Sequence, residues 1–236
     1  MDLYHTIAVS GCLTLGVAMT AAAGEIRGTV RLEGAPPAPA MLTAESSPNH
    51  PLEGCGAFPK ISQRLLVDTH GGVQNALAWV DMPLDPRGAT GEIKVLDQRE
   101  CVFEPHVLLL PVGGTLALRN SDPMLHNVRI FRERTMLMHE WQPPKAADLT
   151  WRFDEPGRYL VRCGVHAWMH AWVVAAGHRY YALTDQAGTF TIPDLPAGDY
   201  TLHVWHETLG EQQQPMRVHG DRLAVLIRFA AETATR

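Results

Sequence analysis

The sequence predicts an all-β protein, and three observations predict it. Apolar and polar residues alternate in short stretches, the period of a strand with one face buried. Glycine and proline, 20 and 17 of them in 236 residues, interrupt these stretches throughout and supply turns. Beyond residue 23, no segment keeps the periodicity of an amphipathic helix.

Residues 1–23 read as a leader, apolar from Thr6 to Ala23 and ending in Ala21-Ala22-Ala23 ahead of Gly24, a small-residue pattern suited to signal-peptidase cleavage. Its first residues, Met1-Asp2-Leu3-Tyr4-His5, carry an acid where lysine or arginine is usual. The expectation is export, to the periplasm or the medium. Val9-Ser10-Gly11-Cys12 resembles a lipobox, but too little apolar sequence precedes it, so Cys12 is read as part of the discarded leader. No later apolar run approaches the roughly 18 residues of a membrane span.

From Glu25 to Leu32 the chain alternates as a strand and stops at Gly34, and the Pro-rich stretch Ala35 to Ala40 follows as an extended connector. A polar, irregular loop runs through Cys55. Strands are predicted at 63–67, 73–80, 92–96, 107–110, 115–119 and 126–131, enough for a sandwich. Asp154-Glu155-Pro156-Gly157 is a turn feeding one more strand, on which Tyr159, Val161 and Cys163 share a face. Past Gly177, Thr189 to Ile192, the turn Leu195-Pro196-Ala197-Gly198, Tyr200 to Trp205 and Leu223 to Phe229 make a compact second β unit. The division is therefore an N-terminal β segment (24–90) that packs with the sandwich units, a central unit (91–177) and a C-terminal unit (178–236).

With 46% hydrophobic residues the chain can bury a core, which excludes disorder. A net charge of −5, with no basic run, argues against nucleic acid as a partner. There is no nucleophile elbow, phosphate-binding glycine loop or Cys-x-x-Cys, and the expectation is a protein that is not an enzyme.

The chemistry concentrates in Cys163-Gly164-Val165-His166-Ala167-Trp168-Met169, where a thiolate, an imidazole and a thioether fall within seven residues just after a strand. Thiolate and thioether are soft ligands that favour Cu(I), while imidazole suits both oxidation states of copper. Zinc would more often recruit another cysteine or a carboxylate. A second imidazole is available from His126, at the start of a strand whose inward face it shares with Val128 and Ile130. Two His, one Cys and a weak axial Met form the ligand set of blue copper. Singly, each has a plainer reading: a buried free cysteine, a satisfied core histidine, a packing methionine. It is their conjunction that argues for one copper ion per chain. Asn127, beside His126, is expected to hold the cysteine loop through its side-chain amide. With Cys163 so used and Cys12 removed, Cys55 and Cys101 are left to pair by elimination, and spacing adds no support. Met136, Met138 and His139 are read as a loop packing its apolar side chains, and His106, His170, His203 and His206 are left outside the site.

These residues, with Pro111 to Asn120 and Leu125-His126-Asn127-Val128, resemble the cupredoxins, blue copper proteins of the amicyanin and plastocyanin kind, over roughly Glu92 to Ala175. The resemblance implies a Greek-key β-sandwich in which His126, Cys163 and His166 are the strong ligands, Met169 the axial one and Asn127 the loop anchor. It also implies that His166 lies near the surface, where a redox protein would dock against Met124, Leu125, Trp168 and Trp172. Asp185 to Tyr200 resembles carboxypeptidase regulatory-like, transthyretin-type modules, and chains that combine both units resemble methylamine-utilisation proteins. The function expected is single-electron transfer in the periplasm. Copper storage or delivery is the alternative, or a copper-binding scaffold whose regulatory-like unit binds a partner.

Overall fold

The computed structural model describes residues 23–43, 54–57, 59–85 and 91–231, so the leader and Cys12 lie outside the described residues. Those residues build two β-sandwiches and contain no helix long and apolar enough to cross a membrane. In the first sandwich, β10 (Thr135–Gln142), β9 (His126–Arg132), β12 (Gly157–Cys163), β13 (His170–Ala176) and β7 (Val107–Pro111) form one sheet in that order. It faces β11 (Leu149–Arg152), β8 (Thr115–Asn120), β5 (Ile93–Arg99) and β6 (Val102–Glu104). Leu96, Leu116, Leu118, Val128, Ile130, Val161 and Val173 meet between the two sheets as a core from which water is excluded.

The second sandwich pairs β15 (Thr189–Leu195), β1 (Gly24–Glu33) and β18 (Arg222–Ala230) with a sheet of β14 (Tyr181–Leu183), β4 (Leu77–Val80), β16 (Gly198–His206) and β17 (Gly210–Val218). A short ribbon of β2 (Met41–Leu42) and β3 (Lys60–Ile61) stands apart. The strands β1 and β4 come from the segment 24–90, which sequence analysis separates from the C-terminal unit. The structure joins them: β1 lies between β15 and β18, parallel to β18 along its length, and β4 lies between β14 and β16. The first sandwich is therefore inserted, as one contiguous stretch, into a second sandwich assembled from both ends of the chain. Where the chain leaves β4 and where it leaves β13, the Asp85 N–H donates to the Gly177 carbonyl at 2.7 Å.

The sandwiches are pressed together through β13. Its Ala171, Val173 and Ala175 enter the first core, while Trp172 and Val174 join Leu77, Trp79, Val107 and Trp205 in a separate cluster between the sandwiches. That explains why residues 171–176 read as an apolar run instead of alternating: both faces of the strand are covered.

Several stretches differ from the sequence expectation; of residues 73–80, for one, only Leu77–Val80 is strand, with Gln74 and Asn75 in a turn. Residues 63–67 form no strand apart from a bridge at Val67. Residues 135–142, expected as a loop, form the edge strand β10; Met138 packs on the core while Met136 and His139 stay exposed, so the three do not converge. The polar stretch 210–218 is β17, an edge strand whose Gln-rich faces hide the period of two. Finally, β5 and β6 make a hairpin around Glu100 and Cys101, both at positive φ (51° and 58°), without the Asn-Gly or Gly-Gly that usually marks this turn.

Leu77 is 1% exposed in the cluster between the sandwiches. Leu77→Ala is expected to lower the free energy of unfolding by about 2–5 kcal/mol. An unchanged urea midpoint would show that this contact adds nothing to stability.

Candidate metal centre

Residues 126 and 163 sit on neighbouring strands, with Cys163 opposite Val128 on β9, so period-two geometry brings both side chains inward at one end of the first sandwich. Beyond Cys163 the chain turns and returns as β13, and that turn is closed by its own backbone. The Met169 N–H donates to the His166 carbonyl at 3.0 Å, and the Cys163 N–H to the Met169 carbonyl at 3.0 Å. His126, Cys163 and His166 consequently lie with ligand atoms within 4.8 Å of one another. Met169 is buried in the same core cluster as Cys163.

His126 is held in one orientation. Its Nε2–H donates to Asp122 Oδ2 at 2.8 Å, which turns Nδ1 toward Cys163 Sγ, 3.6 Å away. Asp122 in turn accepts the backbone N–H groups of Glu100 and Cys101, the latter at 2.9 Å. These are the two strained residues of the β5–β6 turn, and Cys101 is joined by a disulfide to Cys55. The Cys101 carbonyl accepts Trp168 Nε1–H at 2.9 Å, so one residue secures both the aspartate behind His126 and the loop carrying His166. Sequence analysis did not single out Asp122. An aspartate before a proline in a turn is ordinary there, and its only signal is that it stands four residues ahead of a histidine.

Burial opposes charge on both members of the Cys163–His126 pair, pushing the imidazole down and the thiol up. Their contacts outweigh it. Asp122 and Cys163 raise His126 to about 9. Hydrogen bonds from His126 and His166, with the backbone N–H groups of Asn127 and His166, bring Cys163 down to about 5. The Val165 N–H also lies 3.3 Å from the sulfur. A thiolate beside an imidazolium is a pair in which a soft or borderline cation could take the place of the proton between nitrogen and sulfur. Two further clusters contain Cys55 or Cys101, and their sulfurs are spent in the disulfide.

Three expectations are corrected. Asn127 does not hold the cysteine loop through its side chain: the amide donates to the Glu140 carbonyl at 3.1 Å, and its oxygen accepts Arg129 Nε–H at 2.7 Å. The loop is tied to the Asn127 backbone, whose carbonyl accepts the Gly164 N–H at 3.0 Å. The side chain instead fills the space above Gly164, where an added Cβ would stand 2.4 Å from Asn127 Oδ1. His166 is not at the surface; it is fully buried, its Nε2 3.8 Å from Cys55 Sγ and its ring 5.1 Å from that of Trp168. The cause is the Cys55 segment, which the disulfide holds over the loop. Trp172 is likewise absent from the expected patch, because it faces the second sandwich and packs edge-on against Trp205.

A family model described as polysaccharide lyase family 4, domain II, matches residues 156–222, from the last strands of the first sandwich into the second. A carboxypeptidase regulatory-like description is not what that match gives. A search of curated proteins returns no match. Among solved structures, a reduced amicyanin variant in its Cu(I) form at pH 4 is 27% identical, covering 42% of this chain and 98% of that one, with a TM-score of 0.33. Another Cu(I) amicyanin variant is 26% identical with the same coverage and score. A copper-containing nitrite reductase from Thermus scotoductus SA-01 is 22% identical over 40% of this chain and 27% of its own, with a TM-score of 0.32.

Because the folded Cys163 value is lowered, the thiol is ionised above about pH 5 and protonates as the pH falls through it. The ultraviolet thiolate absorbance of the metal-free chain should therefore persist to about pH 5. In His126→Ala its midpoint should move up toward that of an ordinary thiol; an unchanged midpoint would remove His126 as the partner of the sulfur.

Proposed function

We propose that this chain is an exported copper protein that passes single electrons between redox partners and is not itself an enzyme. One observation carries the reading: the hydrogen bond from His126 Nε2 to Asp122 directs Nδ1 at Cys163 Sγ, 3.6 Å away. His126, Cys163 and His166 would be the strong ligands of one type 1 copper ion and Met169 the weak one. Bound copper would supply a one-electron couple whose two oxidation states tolerate the same mixed soft and imidazole donors.

The chain's own residues do the rest. All four donors are at most 6% exposed, which excludes water and other ligands. The Cys101 turn, Asp122 and the backbone-closed loop hold the donors in place, so little rearrangement accompanies a change of charge. Burial of His166 supports retention of the metal over its release, and this favours electron transfer above storage or delivery. A redox partner would dock over Pro123, Leu125 and Ala167, the exposed residues around the loop, with Leu125 43% exposed. The disulfide is of the kind that persists outside the cytoplasm, which supports export to the periplasm. The second sandwich is read as a carboxypeptidase regulatory-like β module serving as host to the copper unit, an arrangement similar to methylamine-utilisation proteins.

The test is the visible spectrum of the Cu(II)-loaded mature chain. An intense thiolate-to-copper band in the orange-red, absent in Cys163→Ser, is the expected result. Copper bound without that colour would overturn the carrier reading in favour of storage or delivery.

A further inference from the structure

A second group of metal-competent side chains lies where the two sandwiches meet. His106 precedes β7, His170 begins β13, and Glu207 occupies the turn between β16 and β17. Their ligand atoms lie within 4.8 Å of one another, and the imidazole rings stand edge to face with centroids 4.9 Å apart. The two nitrogens face different oxygens of the carboxylate: His106 Nε2 contacts Oε1, and His170 Nε2 lies 2.9 Å from Oε2. None of the three takes part in the site proposed for copper.

The hydrogen bonds around His170 fix what its Nε2 can offer. Its Nδ1 lies 3.1 Å from the Trp168 carbonyl, which can only accept, so Nδ1 carries the proton. Nε2 faces a carboxylate oxygen that also accepts Trp172 Nε1–H at 3.0 Å. A histidine whose Nδ1–H is bound to a backbone carbonyl, with Nε2 facing other donors, is the usual disposition of a metal ligand. The donors are shielded but not sealed: His170 and Glu207 form part of the wall of a cavity of about 360 Å³, together with Arg64, Arg162, Trp168 and Trp172.

We propose that His106 Nε2, His170 Nε2 and the Glu207 carboxylate bind a divalent first-row transition metal ion, with a coordination position open to this cavity. Two imidazoles and one carboxylate suit zinc, copper or iron, and three protein donors leave room for water or a small anion. The site needs both sandwiches, since Glu207 alone comes from the second. Its existence does not depend on copper at Cys163.

The test uses Zn²⁺ alone and the full chain carrying Cys163→Ser, which removes the thiolate of the other site. Calorimetry is expected to detect Zn²⁺ binding that Glu207→Gln weakens by more than about 100-fold, beyond the usual effect of losing a residue behind a ligand. Equal Zn²⁺ binding with and without Glu207→Gln would overturn the proposal. Nitrogen NMR of the unmutated chain removes any dependence on how the variants fold. On Zn²⁺ addition the His170 Nε2 resonance should shift while Nδ1 keeps its proton. If His170 stays protonated on both nitrogens at saturating Zn²⁺, the cluster is an imidazolium–carboxylate pair and no metal site.

Discussion

Asp122 occupies Nε2 of His126, and the direction of the other nitrogen follows from that single hydrogen bond. Without an acceptor there, an imidazole can flip, and Nδ1 would no longer be directed at the sulfur of Cys163. Asp122 is itself positioned by the N–H groups of Glu100 and Cys101, which converge on its carboxylate from a turn with two positive φ values. Such a turn is costly for non-glycine residues. It is stabilised here by the aspartate, by the disulfide to Cys55 and by Trp168 donating to the Cys101 carbonyl. Local strain, covalent cross-link and donor geometry are therefore one connected system.

The same cross-link explains the covering of His166. A sandwich of this size could leave the end of its ligand loop open to solvent. Here Cys55, ahead of the sandwich in sequence, is fastened at Cys101 and fully buried against His166. Water is kept from the His166 ring by this arrangement, and the residues left exposed around the loop are Pro123, Leu125 and Ala167.

How much could be read in advance follows from the range of each interaction. The strand carrying Tyr159, Val161 and Cys163 was legible because all three are buried on one face, as a period of two requires. His126, Cys163, His166 and Met169 were legible as candidates because unusual donor types crowd one loop and one strand start. Asp122 was not, since its chemistry in sequence is that of any turn residue. Glu207 and its two histidines meet across separations of 101 and 37 residues, which no local pattern encodes. The strand β10 was hidden because an edge strand can leave apolar side chains such as Trp141, 56% exposed, in solvent. Asn127 was placed correctly beside the loop, but the sequence cannot say whether backbone or side chain makes the bond.

The insertion of one sandwich into the other has a consequence for the order in which the chain can fold. The first sandwich is continuous, from β5 to β13, and contains every strand it needs. The second cannot close its outer sheet until β18 is available, because β1 pairs along its whole length with a strand from the far end of the chain. Such distant pairing is slow, since a very long loop must be closed before any contact rewards it. Through that interval β1 has unsatisfied edges, which invite pairing with other chains. During biogenesis the vulnerable species is thus a finished inner unit carrying an incomplete host, and protection of the N-terminal strand matters most at that stage.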